Sequence, residues 1–156
     1  MLHIFSDSSC SKTKGIGCFS LLTDLKEDEI EINYIVENCT SSTRMEFITI
    51  LNALEHAKNK NLINGQILIY TDCESFVRYG KTKTNNSIDL EMNSAMQKYF
   101  DNYKIEIIKM KGHNKKTNIV TREQEIFSIL DKKARKILRD KNKIYSNIHS
   151  VIIKHD

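Results

Sequence analysis

Hydrophobic and polar residues alternate along the first part of the chain. Residues 2–7 begin with apolar side chains and end in an aspartate. Residues 15–22 resume after a polar turn, and residues 30–36 place Ile, Ile, Tyr and Val at every second position. A period of two is typical of strands that bury one face. We therefore predict three consecutive antiparallel strands before the first helix.

The rest of the chain changes to the helical period, interrupted by two short apolar runs. Apolar residues recur three and four positions apart in the segments 43–60, 74–79, 88–100 and 122–140. The runs 67–71 and 105–110 are too short for helices and predict strands. This order predicts an α/β protein with a five-stranded mixed sheet and helices on both faces. The first strand is central and the fourth lies parallel beside it, in the order 3-2-1-4-5.

A length of 156 residues indicates one domain with a sizeable core. We place this domain at residues 1–140. Residues 141–156 are predicted to be a C-terminal extension that packs on the domain or trails from it. Their apolar run at 151–153 favours an edge strand or packing on the core.

Composition narrows the class of protein without fixing its function. Lys and Arg total 24 against 20 Asp and Glu, and the net charge of +4 permits a polyanionic partner without requiring one. No apolar run reaches the roughly 20 residues that span a bilayer. The first residues lack the features of a secretory signal, so we expect an intracellular, cytoplasmic protein with no membrane partner. The four cysteines form no Cys-x-x-Cys pair, which favours reduced thiols.

Two aspartates end predicted strands. Asp7 follows the first strand, and Asp72 follows the apolar run of the fourth. Because these strands are expected to be parallel neighbours, both carboxylates should lie at the same end of the sheet, where α/β proteins bind ligands. Each also has a simpler interpretation, Asp7 as a turn residue and Asp72 as a helix N-cap.

Two further acids lie on helical stripes that otherwise carry apolar residues. They are Glu46 in the first long helix and Asp131 in the last. A buried acid is costly unless it is paired or binds a cation. The alternatives are a capping box between Glu46 and Thr43, and an ion pair of Asp131 with Arg135 or Lys132.

Four acids at one end of a sheet are hard oxygen ligands that suit Mg²⁺ or Mn²⁺. Two such ions about 4 Å apart can activate water and stabilise the leaving oxygen in phosphodiester cleavage. His113 lies in a Lys-rich loop before the last helix and is a candidate proton carrier. Its alternative interpretation is an ordinary surface histidine.

Five short motifs follow one another in an order that is specific only in combination. They are Asp7 before Gly15-Ile16-Gly17, Thr43-Arg44-Met45-Glu46-Phe47, Tyr70-Thr71-Asp72-Cys73, Lys111-Gly112-His113, and Asp131 before Ala134-Arg135. Together they resemble the type 1 ribonuclease H family, within the retroviral-integrase-like nuclease superfamily. The similarity covers residues 2–140.

The resemblance implies a ribonuclease H-like catalytic domain that cleaves the RNA strand of RNA–DNA hybrids endonucleolytically. The products would carry 5′-phosphate and 3′-hydroxyl ends. The cofactor would be Mg²⁺, with Mn²⁺ able to substitute. The metal ligands would be Asp7, Glu46, Asp72 and Asp131, and His113 would assist turnover or product release.

Substrate contacts are predicted from Ser8, Ser9, Ser42, Thr43 and Glu74. Ser42 and Thr43 stand where the family often carries two asparagines that read the minor groove.

The segment after Asp72 lacks the extra helix and basic handle of some bacterial members, and Lys81 and Lys83 are expected to substitute in part. Two other functions stay open at this point. One is a related nuclease for structured DNA or duplex RNA, and the other is a catalytically silent nucleic-acid-binding module.

Overall fold

The structure is a computed structural model that describes residues 1–39, 41–111, 121–139 and 149–154. Its strands are β1 (Leu2–Cys10), β2 (Gly15–Leu22), β3 (Glu29–Glu37), β4 (Ile67–Thr71), β5 (Ile105–Lys109) and β6 (His149–Lys154). Its helices are α1 (Ser42–Asn59), α2 (Glu74–Thr82), α3 (Leu90–Asn102) and α4 (Arg122–Arg139).

The strands form one mixed sheet in the order β5-β4-β1-β2-β3-β6. β1, β2 and β3 are antiparallel neighbours, whereas β4 runs parallel to β1 and β5 parallel to β4. The predicted order of the first five strands is confirmed. The central position of β1 places its carboxyl end beside that of β4.

A sixth strand extends the sheet beyond the predicted five. β6 pairs antiparallel with β3, from Glu29 opposite Lys154 to Tyr34 opposite His149. The apolar run at 151–153 therefore belongs to an edge strand that covers β3. The boundary proposed at residue 140 stays a prediction.

Strand alternation sends apolar side chains into a layer on each face of the sheet. Leu2 and Ile4 of β1 join the core beneath α1, α2 and α3. The next residue, Phe5, lies on the other face of the sheet and joins the separate core beneath α4. Helices therefore cover both faces, as predicted, and the two helical acids approach the sheet from opposite sides.

The start of α4 is fixed to the turn between β2 and β3. The guanidinium Nε of Arg122 donates a hydrogen bond of 2.7 Å to the carbonyl oxygen of Leu25. A second guanidinium nitrogen pairs with Glu125 one turn along the helix, at 3.2 Å. Arg122 thereby sets where the last helix begins against the sheet.

Two other sequence expectations concern membranes and cysteines. Within the described ranges, no helix is both long and apolar enough to cross a membrane. The thiols of Cys10, Cys18, Cys39 and Cys73 are free.

One histidine of α1 is expected to make the stability of the protein depend on pH. The ring of His56 packs edge-on against Phe19 with 5.7 Å between centroids, and its buried Nε2 has no hydrogen-bond partner among the described residues. Burial lowers the pKa of His56, and the charge of Lys60 lowers it further while that of Glu31 raises it. The unfolded chain therefore binds this proton more readily than the folded one.

We expect the contribution of His56 to stability to be complete above about pH 6.5 and to be lost as the pH falls towards the lower folded pKa. The variant His56→Phe removes the titrating group and keeps the ring contact. Urea unfolding at a series of pH values should show a smaller loss of stability on acidification in the variant. Parallel pH profiles for the two proteins would contradict this assignment.

Candidate active site

Three of the four predicted acids meet at the carboxyl end of the parallel strands. Phe5 of β1 lies opposite Tyr70 of β4, so Asp7 and Asp72 are reached two residues later on both strands. Glu46 approaches from α1. One carboxylate oxygen from each of Asp7, Glu46 and Asp72 lies within 4.8 Å of the other two. The convergence expected from strand order is therefore found.

The capping-box role considered for Glu46 is wrong. α1 begins at Ser42, and its cap is Ser41, whose hydroxyl accepts a hydrogen bond of 3.1 Å from the amide of Arg44. Because the helix starts earlier than a cap at Thr43 would allow, Glu46 lies beyond the first turn. Its side chain turns to the sheet and is only 2% exposed.

The simpler interpretations of the two strand acids are also wrong. Asp7 lies within β1, opposite Cys18 of β2, rather than in the turn that follows. The N-cap of α2 is Cys73 and not Asp72, which stays exposed between β4 and the helix. Neither residue therefore has the turn or cap role that the sequence alone allowed.

A glycine in β2 lets α1 approach the sheet closely enough for Glu46 to reach β1. A Cβ on Gly17 would lie 1.8 Å from the hydroxyl oxygen of Thr49 and 2.8 Å from its Cβ. Gly17 pairs with Ser8 of β1, next to Asp7. The Gly-x-Gly motif thus has a packing role at the level of the acids.

Three hydroxyl groups hold the carboxylate of Glu46. Ser6 and Thr71 donate to its Oε1 at 2.7 and 2.9 Å, and Ser8 donates to its Oε2 at 2.8 Å. Burial raises the pKa of Glu46, the three hydroxyl hydrogen bonds lower it, and the charge of Asp72 raises it. The hydroxyls therefore partly offset the cost of burying this charge.

Sequence reasoning missed Ser6 and Thr71. A usable signal was present, since each continues the buried face of an apolar strand, Ser6 after Ile4 and Thr71 after Ile69. A hydroxyl at such a position needs a buried partner, and here the partner is Glu46.

Asp7 is a second buried acid of the group. Its side chain is 4% exposed, and Oδ1 accepts a hydrogen bond of 3.0 Å from the amide of Ser8. Burial raises its pKa to about 9, with further contributions from the charges of Glu46 and Asp72 and from Asp131. A bound cation would relieve the repulsion among these carboxylates.

Asp131 joins the site from the opposite helical layer. Its carboxylate lies near enough to Asp7 to help raise the pKa of that group, and it forms an ion pair of 3.1 Å with Arg135 one turn later on α4. The predicted pairing with Arg135 is thus present together with the approach to Asp7. Asp131 lines the site but is not one of the three carboxylates that lie within 4.8 Å.

The acids open into a surface cleft of about 320 Å³. It is lined by Asp7, Ser8, Ser9, Ser42, Thr43, Glu46, Asp72, Cys73, Asp131 and Arg135. Four of the five predicted substrate-binding residues are in this set. Cys73 and Arg135 were not predicted as site residues, although both lie next to or one turn from a predicted acid.

The fifth predicted substrate residue and the basic substitutes lie elsewhere. Glu74 forms an ion pair with Lys109 of β5 and is not a lining residue of the cleft. Lys83 ends α2, and its ammonium lies 4.5 Å from the ring centre of Phe100. The Lys83 side chain therefore packs against α3. His113 lies outside the described residues.

The donor set fits a hard divalent cation. The converging groups are all carboxylates, and two of them are buried. Such oxygen ligands suit Mg²⁺ and Mn²⁺ rather than softer metals, which favour thiolate or imidazole. The geometry supports a group of acidic residues that could bind a cation.

Several solved structures with the same fold are ribonucleases H of low sequence identity. RNase H1 from the halophilic archaeon Halobacterium salinarum NRC-1 has a TM-score of 0.62 and 12% identity, over 89% of this chain and 98% of that one. The N-terminal RNase H domain of Rv2228c from Mycobacterium tuberculosis has a TM-score of 0.56 and 12% identity, over 71% and 87%. LC11-RNase H1, solved with an RNA/DNA hybrid, has a TM-score of 0.53 and 12% identity, over 70% and 86%.

These structural likenesses establish the fold alone. No curated protein matches the sequence significantly. The sequence model of the RNase H family, in contrast, matches residues 1–124, which is most of the chain and includes Asp7, Glu46 and Asp72. With the shared fold and the converging acids at its sheet end, the chain belongs to the RNase H family.

Proposed function

We propose that this chain is a metal-dependent endoribonuclease that hydrolyses the RNA strand of RNA–DNA hybrids by a two-metal mechanism. The family is one of nucleases, and one neighbour in fold was solved in complex with an RNA/DNA hybrid. Products with 5′-phosphate and 3′-hydroxyl ends are part of the proposal.

The observation that carries this proposal is the group formed by Asp7, Glu46 and Asp72 at the floor of an open cleft. Their oxygens converge within 4.8 Å, although Asp7 and Glu46 are buried at a cost in desolvation. Burying like charges together is unfavourable unless a counter-charge compensates for their repulsion, and such groups are common at functional sites. Divalent cations would supply that counter-charge.

Each residue of the site would have a separate role in this reaction. Asp7, Glu46 and Asp72 would hold one cation, and Asp131 would help to hold a second from α4. When bound, the ions supply an activated water and charge stabilisation at the leaving oxygen. Arg135 holds Asp131 in place through its ion pair. His113 keeps its predicted role as a proton carrier.

Substrate would lie along the rim of the cleft. Ser8 and Ser9 line it from β1, and Ser42 and Thr43 line it from the first turn of α1. Hydroxyls at these places can bind phosphate and sugar oxygens, including the 2′-hydroxyl that distinguishes RNA from DNA. Arg135 adds positive charge at the same rim.

The test is cleavage of an end-labelled RNA–DNA hybrid with Mg²⁺, with Mn²⁺ and with EDTA. We expect cleavage of the RNA strand in both metals and none in EDTA, because the carboxylates cannot activate water alone. Product ends are checked by whether a 5′-phosphate-dependent exonuclease degrades the downstream fragment.

Duplex RNA and branched DNA run in parallel separate the other candidate functions. Preferential cleavage of either one would mean that this nucleic acid, and not the hybrid, is the substrate. Hybrid binding without cleavage in either metal would leave a nucleic-acid-binding module and overturn the proposal.

A further inference from the structure

Three hydroxyl groups take up most of the hydrogen-bonding capacity of the Glu46 carboxylate. A carboxylate has about four lone-pair sites, two on each oxygen. Both sites on Oε1 are taken, by Ser6 at 2.7 Å and Thr71 at 2.9 Å. Ser8 takes one site on Oε2 at 2.8 Å. No donor among the described residues takes the fourth lone pair, on Oε2, which is left for a ligand.

The direction of the Thr71 hydroxyl is fixed by its second contact. Its oxygen accepts a hydrogen bond of 3.1 Å from the amide of Cys73, which leaves the hydroxyl proton for Glu46. This pair of bonds also ties the turn that carries Asp72 to the carboxylate of Glu46. Thr71 and Ser6 are both fully buried, so water does not compete for these sites.

We propose that Ser6 and Thr71 are positioning residues that restrict Glu46 to binding a cation through one oxygen, and that they thereby favour Mg²⁺ and Mn²⁺ over Ca²⁺. The inference rests on the proposed function, since it concerns the metal preference of the same site. It assigns a specificity role to two hydroxyls that do not themselves contact the cation.

The physical reason is the different coordination that these ions require. Ca²⁺ takes six to eight oxygens and commonly binds carboxylates through both oxygens, whereas Mg²⁺ requires near-octahedral geometry with single-oxygen contacts. Two-oxygen binding by Glu46 would need a free lone pair on Oε1. Ser6 and Thr71 occupy both, so the site cannot add that contact without losing a buried hydrogen bond.

The experiment measures binding of Mn²⁺ alone and of Ca²⁺ alone to the full chain by isothermal titration calorimetry, without nucleic acid. The variants are Ser6→Ala and Thr71→Val, each of which frees one lone pair of Oε1. Outer partners of metal ligands typically change affinity by about 10- to 100-fold, so we expect the ratio of Mn²⁺ to Ca²⁺ affinity to fall about tenfold in both variants.

Two controls separate this role from a general structural one. Thr71→Ser keeps the hydroxyl and should restore the ratio of the wild-type protein. Ser20→Ala removes an equally buried serine whose hydroxyl donates to the carbonyl of Glu31 at 2.8 Å, away from the acids, and should leave the ratio unchanged. Ser6→Ala keeps the test valid if Thr71→Val does not fold.

The outcomes are distinguishable. An unchanged ratio in Ser6→Ala overturns the positioning role, while Mn²⁺ binding by the wild-type protein still supports the proposed function. Equal affinity of the wild-type protein for Ca²⁺ and Mn²⁺ also overturns the positioning role alone. A wild-type protein that binds no Mn²⁺ overturns both.

Discussion

Replacing Asp72 by Asn is expected to abolish hybrid cleavage in Mg²⁺ while the protein stays folded. The side chain is exposed and caps no helix, so the substitution leaves the apolar core intact. The charge of Asp72 raises the pKa of both Asp7 and Glu46, and its removal therefore reduces repulsion. We expect activity to fall by at least about a thousandfold, equivalent to about 4 kcal/mol of transition-state stabilisation.

The measurement is the single-turnover rate on a hybrid at saturating Mg²⁺, together with the thermal midpoint. The matched control is Asp101→Asn, an exposed aspartate on α3 that does not line the cleft. It should cleave at the wild-type rate. Cleavage by Asp72→Asn at a comparable rate would show that the assigned carboxylates are not the catalytic ones.

Replacing Gly17 by Ala is expected to damage both the fold and the site. The new Cβ would lie 1.8 Å from Thr49 Oγ1 and 2.8 Å from Thr49 Cβ, on a buried, β-branched side chain. α1 would have to move away from β2, and Glu46 lies on the same helix one turn earlier. Overpacking of this kind costs about 3 kcal/mol.

Chemical denaturation gives the loss of stability, and Mn²⁺ titration gives the effect on the site. The comparison variant is Gly80→Ala on α2, where the new Cβ would meet only the end of the flexible Ile107 side chain. Its gain in helix propensity of about 1 kcal/mol offsets much of that contact. Equal stability of the two variants would contradict the close approach at Gly17.

The positions of the strand acids could be predicted because they depend on local pattern and on one topological rule. Asp7 and Asp72 close apolar runs of visible period, and parallel strands bring such ends together. Glu46 was found for a similar reason, as an acid on an apolar stripe. Its capping alternative failed because the start of the helix depends on Ser41, one of several adjacent hydroxyl residues that the pattern could not rank.

The sequence marks Ser6 and Thr71 as buried hydroxyls but does not identify Glu46 as their partner. Whether Ser6 or Thr71 donates to a given carboxylate depends on the separation of α1 from the sheet, which Gly17 sets through contact with Thr49. The pairing of β6 with β3 is also a contact between distant segments. The pattern of residues 151–153 was compatible with strand pairing or with packing on the core. The structure distinguishes the two, because these residues pair with β3.

The order of the acids along the chain has a consequence for folding. Residues 7, 46, 72 and 131 come from four segments, and the parallel pairing of β4 with β1 joins segments that are far apart in sequence. A chain that has formed only the antiparallel β1–β2–β3 part has no cation site. A cation bound at the proposed site would therefore stabilise the native state by mass action without assisting early folding steps. It would act chiefly by slowing unfolding, and we expect the metal-bound protein to be kinetically protected.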